Sequence, residues 1–350
     1  MKYWGLFVCS IVLGVGAFML LHNLGVGPLA QYDEGTYATV VHESFVRHDF
    51  LTFTYFGNLF FEKPPLYFWL AGVATFITNN PILGIRLPAA LAALATVALI
   101  MYMAYAFSRE WWVAALAGMY LVSIEPFVQG AREARLDAVI GFFILLAFWF
   151  AWERKYVWLG VAVALAILTK SVVAIFAIAA LPIVMLWRRE YQGLTSLRVW
   201  QGVALGLVLV LPWHLYEWVL YGNKFWFSYI GVNVLERYQS NLFANPYLQT
   251  DYWGRLLDYA RPQLGLFLLS LIIAVAYARG SRYVTVLGSV LSLIAIMVVV
   301  FFTAQTRALS YLLPLYPFAA LFFALSASLF LQRCRAKVWH DQNENPGSNS

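Results

Sequence analysis

The sequence predicts an all-α polytopic membrane protein, and three observations carry that expectation. Its 350 residues are 62% hydrophobic and only 11% charged, with a mean hydropathy of +0.72. A soluble domain of that size cannot bury so many apolar side chains and still present a polar surface. Most of the apolar residues fall into runs close to the roughly 20 that a bilayer-spanning helix needs. The charges between the runs are sorted too, with basic residues gathered in alternate, short loops.

The first run, residues 4–24, follows Lys2. It is longer than a signal-peptide core and lacks an A-x-A cleavage site, so it reads as a retained helix. Next comes "QYDEGTYATVVHESF" at 31–45, where Tyr37, Val41 and Phe45 recur at i, i+4 and i+8 behind Asp33. That pattern suits an amphipathic helix lying on the membrane, with Asp33 as its cap. The stretch 64–79, "PPLYFWLAGVATFITN", is short and opens on two prolines, which suits an interfacial or re-entrant piece as well as a span. Further runs lie at 84–107, 111–128, 136–152, 157–170, 171–187, 199–219, 259–278, 283–303 and 308–331, which with the first make about ten crossings.

Charge decides how 64–79 is read. If it does not cross, one side holds twelve basic and five acidic residues, a net of +7, and the other side is left at −1. If it crossed, the pairs Arg188/Arg189 and Arg279/Arg282 would be exported, against the positive-inside rule. The segment is therefore expected at the outer interface, inside the first of two long outer segments, 25–83 and 220–258. Residues 1–335 read as one transmembrane domain and 336–350 as a polar, disordered tail. Cys9 and Cys334 are far apart in the chain and read as free thiols. No internal repeat stands out, and "GVG" at 14–16 is packing glycine rather than a dinucleotide fingerprint.

In so uncharged a chain, each outer cluster of charge asks for a reason. Asp33 and Glu34 stand side by side, and capping accounts for one of them. "FEKPPLYFWL" fixes Glu62 and Lys63 against two prolines, giving either a local ion pair or an ammonium held at lipid-phosphate depth. "GAREARLDAVIGFF" carries Arg132, Glu133, Arg135 and Asp137; the first two suit a solvated loop, whereas an acid opening an apolar span marks a site. Lys170 in "ILTKSVV" reads as a turn residue snorkelling outward. Glu236 and Arg237 sit in the second long segment, and Arg307 and Tyr311 share a face at the edge of the last span. Lys63, Arg237 and Arg307 are thus three cations from three distant segments on one side.

In order and spacing, "YDEGTYA", "FEKPPLYFWL", "RLPAAL", "AREARLDAVIGFF", "AILTKSVVAI", "ERY" and "TRALSYLLPLYP" resemble the GT-C glycosyltransferases that use lipid-phosphate sugars. The branch is that of the bacterial lipid A aminoarabinose transferases and protein O-mannosyltransferases, and the likeness runs from about residue 30 to 320. The resemblance implies a GT-C fold with amphipathic helices in the first outer loop, in a bacterial inner membrane with its site on the periplasmic face. It implies Asp33 as the catalytic-loop aspartate, Glu62 and Lys63 as an acid and a phosphate-binding lysine, and Asp137 as the second outer acid. Arg237 would contact the donor phosphate, and Arg307 with Tyr311 would match K-L-P-x-Y, with Leu309 where proline is usual. Two departures stand out. Thr36 replaces the arginine of D-E-x-R-Y, and the chain ends after its last helix without the soluble domain of longer members.

The residues agree with that chemistry on their own terms. With no Rossmann pattern, P-loop or cytoplasmic domain to cradle a nucleotide, a sugar donor would arrive through the membrane as a polyprenyl phosphate. Its leaving group is an anion, which Lys63, Arg237 and Arg307 can stabilise, with Tyr311 placed near the donor phosphate by the resemblance. Asp33 is the expected base, with Glu34 or Asp137 as partner and Glu62 and Arg135 in support; in-line displacement implies inversion. The acceptor is a lipid, glycan or protein, with no role for nucleic acid. Outer acids cluster without a metal-ligand motif, so no cofactor is expected to be required. A transporter or flippase is the rival class, but it would place charge near the midplane of repeated halves. A non-catalytic scaffold would leave the outer charges unexplained.

Overall fold

A computed structural model describes residues 2–29, 33–236, 252–303 and 309–344. Helix α1 (Lys2–Leu21) is apolar all round and leads to α2 (Asp33–Arg47), whose first turn holds Asp33 and Glu34. Acids there oppose the positive end of the helix dipole. The far face of α2 buries Tyr37, Val40 and Val41. A two-stranded hairpin follows, β1 (Thr54–Tyr55) on β2 (Asn58–Leu59), turned at Phe56 and Gly57 with φ of 47° and 73°. Positive φ at both turn positions matches the right-handed twist of a tight hairpin. This hairpin is an addition to the helices that the sequence announces.

Helix α3 (Leu66–Thr78) is 13 residues long, about 20 Å at 1.5 Å per residue, against roughly 30 Å for the hydrocarbon core. It turns back at Asn79 into α4 (Pro81–Ser108), where the Asn80 side chain accepts from the Leu83 N–H at 3.0 Å and Pro81 sets the first turn. The return is tight because Gly84 has no side chain; a Cβ there would stand 2.1 Å from Thr75 Oγ1.

The expected span 111–128 is broken. It forms α5 (Trp111–Val122) and α6 (Glu125–Arg132), bent by 67°. Ile124 is extended and Pro126 lies in the first turn of α6, so the hydrogen-bond ladder of α5 cannot run through. Then come α7 (Leu136–Trp152), α8 (Tyr156–Lys170), a 3-10 turn at Ser171–Ala174 and α9 (Ile175–Arg188). The chain doubles back at this turn, since Arg188 donates to the Trp152 carbonyl at 2.6 Å and Arg154 meets Glu190 at 2.6 Å.

Helix α10 (Leu197–Tyr221) is followed by α11 (Asn223–Trp226), a wide helical segment at Phe227–Glu236, α12 (Tyr252–Tyr277) and α13 (Val284–Thr303). A 3-10 turn at Leu309–Leu312 leads into α14 (Tyr316–Glu344). This last helix runs past residue 335 into the stretch expected to be disordered. "QRCRAKVWHDQNE" contains no glycine or proline to stop it. Among the described residues, six helical runs are long and apolar enough to cross a membrane, or seven with the bent pair; α3, α7 and Pro262–Tyr277 are apolar but shorter. Length and composition thus support fewer crossings than the expected ten, although the run counted as Tyr156–Arg188 folds back at Ser171.

The core is one contiguous cluster rich in alanine, including Ala89, Ala93, Ala114, Ala117 and Ala147. Small residues let helices approach closely where lipid offers no hydrophobic driving force. A Cβ on Gly160 would lie 2.0 Å from the Gly202 carbonyl oxygen, so α8 and α10 touch backbone to backbone. A separate aromatic cluster of Phe61, Trp213, Phe225 and Tyr229 docks the strap between α2 and α3, residues 48–65, onto the end of α10.

Candidate active site

The bend between α5 and α6 and the turn after α8 bring charged residues to one end of the bundle. Asp137 lies in the first turn of α7 and is 5% exposed. The Lys170 ammonium, at the end of α8, donates to its Oδ1 at 2.6 Å and sits 4.7 Å from the centroid of the Tyr311 ring. Three distant segments thus form one stack of carboxylate, ammonium and aromatic ring. A desolvated pair of this kind holds only with good geometry and further partners. Lys170 is therefore not the outward-reaching turn residue expected. The signal that flagged Asp137, a charge inside an apolar run, applied equally to Lys170.

Asp33 keeps 57% of its side chain exposed, with Oδ2 at 3.8 Å from Arg135 Nη1. Arg135 in turn donates from Nε to Glu133 Oε2 at 2.6 Å. One helical turn after Asp33, Tyr37 is buried. Burial first, and then the negative charges of Asp33, Asp137 and Glu62, push its phenol well above the usual range. Tyr37 therefore stays protonated, and the charges of all three carboxylates reach it. Glu62 lies 3.8 Å from its neighbour Lys63, itself only 9% exposed, and its charge acts on Tyr37 at the same end. A cleft of about 150 Å³ opens beside Glu133 and Arg135 and is closed by Gln129, Ser310 and Leu313.

Glu34 departs from the expected catalytic pairing with Asp33. It is 2% exposed and clasped by Arg86, with Nε on Oε1 at 2.8 Å and Nη2 on Oε2 at 2.9 Å. Its Oε1 also accepts from the Ala134 N–H at 3.0 Å. Arg86 further donates to the carbonyls of Leu24, Val26 and Pro28. The forked guanidinium so joins α4, the loop after α1 and the start of α2, and Glu34 ties these to the junction before α7. Arg132, expected in a solvated loop, donates to the carbonyls of Met19 at 2.6 Å and His22 at 2.8 Å, closing the end of α1. Arg237 and Arg307 lie outside the described residues. Among the described residues, no three His, Cys, Asp or Glu side chains are grouped to hold a metal ion.

Residues 62–216 match the family model described as dolichyl-phosphate-mannose-protein mannosyltransferase. An undecaprenyl phosphate-alpha-4-amino-4-deoxy-L-arabinose arabinosyl transferase 2 of Pseudomonas fluorescens (strain Pf0-1) is 25% identical over 96% of this chain and 62% of its own length. An uncharacterized protein of Aquifex aeolicus is 26% identical over 63% of this chain and 46% of its own. The chain thus spans between about two fifths and three fifths of the first curated relatives it matches. In fold, it superposes on ArnT from Cupriavidus metallidurans bound to undecaprenyl phosphate with a TM-score of 0.78, at 22% identity over 91% of this chain and 59% of that one. The Archaeoglobus fulgidus oligosaccharyltransferase follows at a TM-score of 0.60 and 13% identity, over 98% of this chain and 52% of that one. The chain is a multi-pass membrane protein with the GT-C fold, of the kind found in the ArnT-like and PMT-like glycosyltransferases.

Proposed function

We propose that the chain is an inverting glycosyltransferase that moves a sugar from a polyprenyl-phosphate donor to a lipid, glycan or protein acceptor. The observation that carries this reading is the grouping at one end of the bundle of Asp33 beside Arg135 and of Asp137–Lys170 against the Tyr311 ring, with Glu62/Lys63 near enough for the Glu62 charge to act on Tyr37. The undecaprenyl phosphate named in the relatives is the carrier we assign to the donor. The acceptor hydroxyl attacks the anomeric carbon as the bond from that carbon to the phosphate oxygen breaks. Asp33, the exposed carboxylate, takes the hydroxyl proton. Lys63, Lys170, Arg237 and Arg307 supply positive charge to the departing phosphate, and Tyr311 shapes the wall beside it. Asp137 holds Lys170 in place, and Arg135 and Glu133 orient Asp33. Glu34 serves as a positioning group because both its oxygens are engaged by Arg86.

Thr36 removes one phosphate ligand of the aminoarabinose pattern, so the donor is assigned only as a class. The net positive loops, set at the opposite end, support a periplasmic site in a bacterial inner membrane. No cofactor is assigned. Purified protein given radiolabelled undecaprenyl-phosphate sugar and lipid A should release undecaprenyl phosphate without any gradient, and keep doing so in EDTA. Intact donor moved only with a gradient would overturn the proposal in favour of a transporter.

A further inference from the structure

A second cleft has no part in that chemistry. It measures about 770 Å³ and lies between the end of α9 and the start of α13. Since α9 is 14 residues long, about 20 Å at 1.5 Å per residue, the cleft sits at the membrane edge opposite Lys170 and Asp137. Charge there is unbalanced. Arg154, Lys155, Arg188 and Arg189 gather there against two acids, Glu153 and Glu190, and Glu190 takes both Arg154 at 2.6 Å and Arg188 at 3.4 Å. Arg189 makes no ion pair among the described residues, and it lines the cleft. The opposite wall is formed by the Trp187 indole, whose N–H donates to Ser292 Oγ at 2.9 Å. Its ring lies directly on Gly288, where a Cβ would stand 2.5 Å from the ring carbons. Apolar surface remains open around the cation, with Leu186 59% exposed, Tyr191 56% and Val284 37%.

A surplus guanidinium, an anchored indole, the hydroxyls of Tyr191 and Thr285 and an exposed apolar rim match one ligand chemistry. That chemistry is a phosphate diester with a hydrocarbon chain. We propose that this cleft binds an anionic glycerophospholipid of the bilayer, with Arg189 engaging its phosphate and the acyl chain lying on Leu186 and Val284. Arg189 caps α9 at φ 55°. The variant to test is therefore Arg189→Asn, which loses the charge but tolerates that backbone.

The full chain is reconstituted in phosphatidylcholine nanodiscs containing phosphatidylglycerol, extracted gently and weighed by native mass spectrometry. The wild type should retain one phosphatidylglycerol per chain, and Arg189→Asn should hold it about 10-fold more weakly. Arg198→Ala, an exposed arginine at the start of α10, should retain it as the wild type does. Equal loss in both variants, or no loss in Arg189→Asn, would overturn the proposal. Displacement by inorganic phosphate alone would also overturn it, because the site would then take a bare anion.

Discussion

Asp33 and Asp137 are both carboxylates at the same end of the molecule, yet their surroundings give them different work. Asp33 is exposed and held only at 3.8 Å by Arg135, so it can exchange a proton with an arriving hydroxyl. Asp137 is buried and spoken for by Lys170. Asp33→Asn keeps the shape and loses the basicity; it should lower turnover by about 10²–10⁴-fold while undecaprenyl phosphate still binds. Near-normal turnover in that variant would leave Asp33 as a helix cap. Lys170→Met strands a buried charge and should destabilise the protein by about 3–5 kcal/mol in a denaturation series. Lys170→Met with Asp137→Asn should recover most of that stability and none of the activity. The sequence made Asp137 legible because an acid in an apolar run is rare. It left Lys170 ambiguous because a lysine beside a turn can always be imagined reaching outward. Glu34 was legible as unusual but not as bound, since its partner Arg86 is 52 residues away.

At the scale of elements, the strap between α2 and α3 is stitched to its neighbours on both sides. Trp213 Nε1 donates to the Leu51 carbonyl at 2.9 Å, and Thr52 Oγ1 donates to Glu217 Oε1 at 3.0 Å, near the C-terminal end of α10. Glu217 is fully buried and its Oε2 has no hydrogen-bond partner among the described residues. Thr52→Val would leave the whole carboxyl unsatisfied, a loss of about 1–3 kcal/mol. It should speed amide exchange along the strap that leads to Lys63 and raise the KM for donor. On the other side, Glu43 accepts from Thr54 and lies near the Gly57 N–H, and the Thr54 hydroxyl is the main cause of its carboxyl falling below the ordinary 4.5. A lowered folded-state value means the contribution is complete above the unfolded value and is lost as pH falls through the lowered one. Hairpin amides should therefore exchange relatively faster, after correction for intrinsic rates, at roughly pH 3 than at roughly pH 6. None of this was legible in the sequence. The strap has neither helical nor alternating periodicity, and its partners on α10 are 162 and 165 residues away. The break between α5 and α6 did leave a sign in Pro126, but the apolar run around it masked the bend.

For the whole molecule, composition and charge made the fold class legible and left the number of crossings open. Apolar runs survive in any reading of the sequence, whereas α7 and Pro262–Tyr277 are too short for length alone to decide. The orientation rests on a different argument. The candidate-site cluster lies at the end where α7 begins and α8 stops, and Arg154, Arg188 and Arg189 lie where α8 begins and α9 stops. On the positive-inside rule the arginine-rich end would face the cytoplasm and the candidate site the outer side, which is the orientation proposed above. Lys63 and Asp137 are too buried to label, so the test uses exposed positions at each end. In a background with Cys9 and Cys334 replaced, Phe56→Cys on the hairpin, 72% exposed, should react with an impermeant maleimide in intact cells. Tyr191→Cys, 56% exposed beyond α9, should react only after the membrane is permeabilised. The reverse pattern would put the carboxylates in the cytoplasm, where a donor headgroup would have to be presented from the inner leaflet. Labelling of both positions in intact cells would mean that an odd number of crossings separating them has been miscounted, with α3 the first helix to reconsider.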